Sequence, residues 1–216
     1  MEKIRITLWD FFTFFMTGVL AGLVMLSYLL LRTEVSFADV IDFVAKASSA
    51  TTIAGISIVA TLAGMLIEPF ANLVDKFLNR RLARYAKSLS TLGSADEAVR
   101  VRLVEDFALN DKVQGIDPYY YARDYVDQLQ LGPNLIIFLS RFGFYRNAML
   151  ISLISGSLFA ATSDSVYELV AIVLGTFLVS WALKYRGDQF YSYMAPLVYR
   201  ATLIHRLRTR GREDSQ

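Results

Sequence analysis

Ser57, Thr61, Gly64, Glu68, Asn72 and Asp75 stand three or four residues apart, which puts two hydroxyls, an amide and two carboxylates on one face of a single predicted helix. Such a stripe supports two kinds of chemistry. Several copies around an axis would line a hydrated path, with Ser57, Thr61, Gly64, Glu68 and Asn72 as pore-lining candidates and Glu68 as an acidic ring favouring cations. Alternatively the face packs against a neighbouring helix, and its hydroxyls bond back to their own backbone. A carboxylate at membrane depth is costly unless hydrated or paired, and Arg80, Arg81 and Arg146 are the guanidinium groups available to Glu68. Asp10, near the start of another apolar run, is read first as a residue of the cytoplasmic interface.

Catalysis has no comparable pattern. The chain has no cysteine and a single histidine, His205, which removes thiol nucleophiles, thiolate metal sites and most imidazole chemistry. No phosphate-binding loop, dinucleotide fingerprint, nucleophile elbow or metalloprotease motif occurs, and paired acids such as Glu105-Asp106 belong to a charged amphipathic stretch. The expectation is a non-enzyme with no catalytic residue, no metal site and no cofactor. His205 lies among arginines and is expected to be exposed.

The elements that position the stripe follow from composition. Of the 216 residues 55% are hydrophobic and only 19% charged, with a mean hydropathy of +0.40, a balance suited to a bilayer. The run from Leu8 to Leu31 carries one ionisable residue and reaches about 36 Å as a helix, beyond a hydrocarbon core of about 30 Å. It lacks a convincing cleavage site and is read as an anchor, not a signal peptide. Ser36 and Asp39 have capping-box spacing, and Phe37, Val40, Ile41 and Val44 then recur as a short amphipathic segment. Residues 48–67 form a second span, which Glu68-Pro69 is expected to bend without ending.

Two shorter apolar runs, 146–163 and 167–183, are read as a hairpin of full crossings, extended by flanking aromatics and snorkelling Arg141, Arg146 and Lys184; a re-entrant hairpin is the alternative. Ser165 and Glu168 repeat the capping-box spacing between them. The predicted fold is an all-α membrane protein with four transmembrane helices, both termini cytoplasmic, and a helical cytoplasmic layer between spans two and three. Residues 1–77 hold the first two spans, 78–140 the cytoplasmic region, 141–184 the hairpin and 185–216 a basic tail. Orientation rests on charge: of 22 Lys and Arg residues all but Arg32 and Lys46 fall on one side, which the positive-inside rule makes cytoplasmic. The predicted location is the bacterial inner membrane.

Small residues mark where helices approach. Gly18 and Gly22 in the first span, Ser152, Gly156 and Ala160 in the third, and Ala171 and Gly175 in the fourth are candidates for helix packing or an oligomer interface. In the cytoplasmic region Gly93-Ser94, Gly115–Pro118 and Gly132-Pro133 separate three helical pieces, with Ser94 to Glu97 as a further capping-box spacing and Val101, Val104 and Ala108 as a stripe. Tyr119, Tyr120, Tyr121, Arg123 and Tyr125 are either a protein-docking face or part of an aromatic belt or core, with Tyr121, Tyr125 and Leu129 on one face. In the tail Phe190, Met194, Leu197, Ala201 and Ile204 share a face, while Arg200, Arg206, Arg208, Arg210 and Arg212 suit lipid headgroups better than nucleic acid.

Trp9-Asp10-Phe11-Phe12-Thr13-Phe14, then Gly18, a small-residue second span, a charged helical insertion, and Arg141-Phe142-Gly143-Phe144-Tyr145-Arg146-Asn147 before a final hairpin make up a layout. That layout resembles small four-span bacterial membrane proteins of antiphage defence loci. The resemblance implies a membrane effector or membrane subunit of a defence complex and carries no functional residues across. The resulting expectation is a homo-oligomer that conducts ions or disturbs the membrane when a cytosolic protein partner engages the helical layer. The alternative is a non-conducting anchor that recruits such a partner. A transporter is disfavoured because the chain has neither an internal repeat nor matched interrupted spans.

Overall fold

The computed structural model describes residues 8–33, 35–46, 49–89, 101, 118–129, 131 and 133–213. Among them the regular structure is helical, with no strand: α1 Leu8–Arg32, α2 Phe37–Lys46, α3 Ala50–Leu89, α4 Pro118–Gln128, α5 Pro133–Ala161 and α6 Val166–Glu213. The expected elements around Ser94–Glu97, Val104 and Ala108 lie outside the described residues. Neither Pro69 in α3 nor Pro196 in α6 ends its helix. Among the described residues three helices contain a stretch long and apolar enough to cross a membrane, within Phe11–Arg32, Ala50–Leu78 and Val166–His205.

The chain divides into two compact units, Met1–Arg81 with Ser140–Gly187, and Leu82–Leu139 with Asp188–Gln216. In the first, α3 is inside out compared with a helix of a water-soluble domain. Leu62, Leu66, Phe70, Leu73 and Phe77 are exposed, whereas Gly64, Ala71 and Asp75 are buried. Burial in water would drive the reverse arrangement, so this surface is matched to an apolar surrounding. The same holds for α6, where Val170, Val173, Leu174, Phe177 and Leu178 face outward and Ser180 is buried.

Contacts fix the order of helices in this unit. Gly18 of α1 lies against Ala60 of α3 and Gly64 of α3 against Phe14 of α1, which makes the two helices antiparallel. Thr13 bonds to the Ser140 carbonyl, Thr17 to Asn147, and Tyr28 packs its ring on Phe159, so α1 and α5 run parallel. Ser152 with Ser180 and Gly156 with Thr176 set α5 antiparallel to α6. Five successive residues of α5, Asn147 to Ile151, are buried, as only a helix surrounded on all sides allows. This enclosed stretch accommodates Asn147, which is fully buried, whereas Arg141 nearer the start of α5 is exposed.

In the second unit Ala122 and Val126 of α4 pack with Leu135 of α5 and with Met194, Val198 and Tyr199 of α6. The periodicity expected for α4 is displaced by one position, since its inward face carries Ala122 and Val126 while Leu129 is exposed. On α6 Phe190 and Met194 are buried as the pattern suggests, but the face then continues through Val198, Tyr199 and Thr202, leaving Ile204 exposed.

Candidate functional site: a polar seam among apolar helices

Thr17, Gly18, Gly64, Asp75, Asn147, Gly156 and Ser180 are polar or small residues that lie in the interior of the first unit. Thr61 Oγ1 donates to the Ser57 carbonyl at 2.8 Å, and Ser57 Oγ to that of Ile53 at 2.9 Å, so both hydroxyls are satisfied within α3. Ser57 and Thr61 remain half-buried and border a shallow recess with Phe11, Ile58 and Leu62. Gly64 has no room for a side chain, because a Cβ would overlap the Phe14 backbone. Asn72 is half-buried.

Glu68 does not stand alone. Among the described residues Arg146 pairs with it, with Nη2 3.1 Å from Glu68 Oε1. The Arg146 side chain is 11% exposed and its guanidinium also lies 5.2 Å from the centre of the Phe142 ring, while Glu68 retains 37% exposure. About two turns further on, Asp75 Oδ1 meets Lys184 Nζ at 3.1 Å, and both side chains are only 11% exposed. Each carboxylate on the α3 stripe thus meets a cation of the same chain. Such pairing offsets the desolvation that an isolated buried charge would suffer.

Thr17 and Asn147 are fully buried, with Asn147 Nδ2 donating to Thr17 Oγ1 at 3.4 Å. Ser180 Oγ donates to Ser152 Oγ at 3.2 Å, where α5 and α6 also approach at Gly156. At the α1 C-terminus Arg32 bonds to Asp164 at 3.4 Å and to Glu168, tying that end to the α5–α6 turn. Thr17 and Ser180 escaped the sequence reading, Thr13 and Asn147 entered it only as part of the layout, and Lys184, expected to snorkel to headgroups, is instead enclosed against Asp75. Their one available signal was a polar residue inside a long apolar run, which does not say where its partner lies.

The predicted packing glycines separate into two groups. Gly18 and Gly156 are buried against Ala60 and Thr176, and Ser152 and Ala160 are half-buried. Gly22 and Gly175 are exposed, with open space where a side chain would project, and Ala171 is exposed beside Gly175 on α6. Among the described residues no three His, Asp or Glu side chains group as metal ligands would.

In the second unit Arg123 pairs with its neighbour Asp124 at 3.0 Å on the outward side of α4. Tyr125 is half-buried, its hydroxyl 2.8 Å from His205 Nδ1 and the rings edge to face at 5.7 Å. His205 is therefore not the exposed residue its arginine-rich surroundings suggested: packing of α4 on α6 leaves it half-buried. The backbone of Tyr119, Tyr120 and Tyr121 is helical, but their side chains lie outside the described residues, as do those of Asp10, Arg80, Arg81, Arg206, Arg208, Arg210 and Arg212. Arg200 is exposed on α6.

Outside the apolar helices, the carboxyl of Asp39 is held below the ordinary aspartate range. The Ser36 hydroxyl donates to it at 2.7 Å and the Ser36 backbone N–H at 2.9 Å, while Ser36 Oγ accepts from the Asp39 N–H at 3.2 Å. Ser165 likewise accepts from the Glu168 N–H at 3.1 Å, and Glu168 from the Asp164 N–H at 3.1 Å.

A scan against protein-family models finds no match to this chain, and comparisons with curated proteins and with solved structures find none either.

Proposed function

We propose that the chain is a four-span inner-membrane anchor, with both termini cytoplasmic, that holds a cytosolic protein partner through its helical layer and does not itself conduct ions. The observation that carries this reading is the destination of the α3 stripe: Gly64 is packed on α1, Glu68 is paired with Arg146, and Asp75 with Lys184. A face committed inside its own chain is not free to line an axis shared by sister copies. What remains outward on α3 is Leu62, Leu66, Phe70 and Leu73, which suits acyl chains and not water. The fourth crossing is supported by α5, which runs beside α1 from Thr17 and Asn147 to Tyr28 and Phe159. The charge asymmetry supports the orientation.

The conducting or membrane-disturbing homo-oligomer is kept as a second reading, because Gly22, Ala171 and Gly175 leave small-residue faces open and Ser57 and Thr61 border an outward recess. A role in antiphage defence extends either reading through the layout resemblance alone. Ion flux decides between them. Full-length protein in phosphatidylethanolamine–phosphatidylglycerol liposomes is expected to pass potassium no faster than empty liposomes; a flux whose cation preference changes in Glu68→Gln overturns the anchor.

A further inference from the structure

The amphipathic helix α2 has an apolar face that its own chain leaves uncovered. Phe37 is 68% and Ile41 54% exposed, and Val40 is half-buried. At 3.6 residues per turn these three share one side, while Asp39, Asp42 and Lys46 gather in a narrow sector on the other. The helix starts from its own cap, the reciprocal Ser36–Asp39 pair, which satisfies two of its first-turn N–H groups.

What covers the apolar face follows from how the helix is tethered. Residues 33–36 join it to α1 and residues 47–49 to α3. At no more than about 3.5 Å per residue these links reach about 14 Å and 11 Å, less than the length of the helix itself. Both α1 and α3 contain a stretch able to cross a membrane. A helix bound this closely to two such ends stays at the bilayer surface, where an apolar face and a polar face are both satisfied if it lies flat.

We infer that α2 is an interfacial helix lying in the plane of the leaflet opposite the cytoplasm, with Phe37 and Ile41 set into the headgroup–acyl boundary and Asp39, Asp42 and Lys46 turned to water. The inference rests on the reading that α1 and α3 cross the membrane. It gives the protein a lipid-binding element on the side that carries few charges, and it fixes the depth of both helices from outside.

Because the chain has no cysteine, single replacements can be spin-labelled without background. The test uses the full chain in phosphatidylethanolamine–phosphatidylglycerol vesicles, with nitroxides on Phe37→Cys, Ile41→Cys, Asp42→Cys and Lys46→Cys, and on Leu66→Cys as a mid-span reference. Labels at 37 and 41 are expected to relax faster with oxygen than with a water-soluble nickel chelate, labels at 42 and 46 the reverse, and the label at 66 to lie deepest. Equal nickel access at all four α2 positions overturns the inference, as does exclusion of both reagents from 37 and 41, which would mean that a second copy or another protein covers them. If the label at 66 is itself open to nickel, the membrane reading of α3 fails along with the inference; if 66 lies in lipid and 37 and 41 do not, only the inference fails.

Discussion

Gly64 of α3 and Phe14 of α1 meet backbone to backbone, and the carbonyl of Phe14 occupies the space a Cβ on Gly64 would need. One turn away the relation is exchanged, with Gly18 of α1 against the Ala60 carbonyl. Lipid tails are as apolar as leucine, so helices in a bilayer gain little by hiding apolar side chains and much by close approach. The obstruction at both sites is backbone, which cannot turn aside as a side-chain end would. Gly18→Ala and Gly64→Ala are therefore expected to destabilise the first unit by about 1–3 kcal/mol, the range for overpacking. Gly22→Ala meets open space and is expected to be neutral or to stabilise by up to about 1 kcal/mol through helix propensity. Unfolding in mixed micelles with increasing dodecyl sulfate reads the difference, and equal behaviour of Gly18→Ala and Gly22→Ala would refute the packing.

The two ion pairs differ in a way that predicts unequal costs. Asp75 and Lys184 are each 11% exposed, whereas Glu68 keeps 37% beside an 11% exposed Arg146. Removing one member of an enclosed pair strands the other without water, and Lys184→Met is expected to cost about 3 kcal/mol or more. Asp75→Leu together with Lys184→Met removes both charges and should recover most of that loss. Glu68→Gln is expected to cost less, about 1–2 kcal/mol, because water still reaches the site and an amide can accept from Arg146. The same micelle titration measures these three variants and Asp75→Leu alone; additive effects of the Asp75 and Lys184 replacements would argue against a direct pair.

Much of this arrangement was legible, and what was not has a common cause. The Ser36–Asp39 capping box forms as its spacing indicates, and Ser165 caps the Glu168 N–H likewise, although the Glu168 carboxylate accepts from the Asp164 N–H and not from that of Ser165. The small-residue spacing in α1 marked a close approach but did not say which glycine makes it: Gly18 does, and Gly22 does not. The α3 stripe was legible as a lipid-avoiding face, yet the choice between a shared axis and a neighbouring helix depends on residues far along the chain. Lys184 opposite Asp75 and Glu168 opposite Arg32 have no local signature. The shift of the inward face of α4 from Tyr125 to Ala122 and Val126 has a related origin: a tyrosine that can bond His205 satisfies its hydroxyl at the edge and leaves the centre to smaller side chains.

The contacts of Arg32 also predict which loops share a side. It joins the end of α1 to Asp164 and Glu168 at the start of α6, so the α1–α2 link and the α5–α6 turn lie at one end of the first unit. With cysteines introduced singly, a membrane-impermeant maleimide added to intact spheroplasts should label Asp42→Cys and Asp164→Cys, and should reach Ser94→Cys and Ser215→Cys only after lysis. Labelling of Asp42→Cys without Asp164→Cys would mean that α5 and α6 form a re-entrant hairpin.

Acid should loosen α2 before it affects the apolar helices. Asp39 accepts two hydrogen bonds from Ser36, which favour its charged form and lower its carboxyl below the usual range. A depressed carboxyl contributes stability that is complete above its unfolded value, about 3.9 for aspartate. That contribution fades as pH falls below this value and is gone once pH passes the lower folded value. The mobility of a nitroxide at Ile41→Cys should therefore stay constant from pH 7 to about 5 and rise as pH approaches 3, the onset set by the ordinary aspartate range. In Asp39→Asn the cap is neutral at every pH, so the label should be more mobile at pH 7 and change little on acidification. An equally steep acid response in Asp39→Asn would assign the loosening to some other group and remove the Ser36–Asp39 pair as its cause.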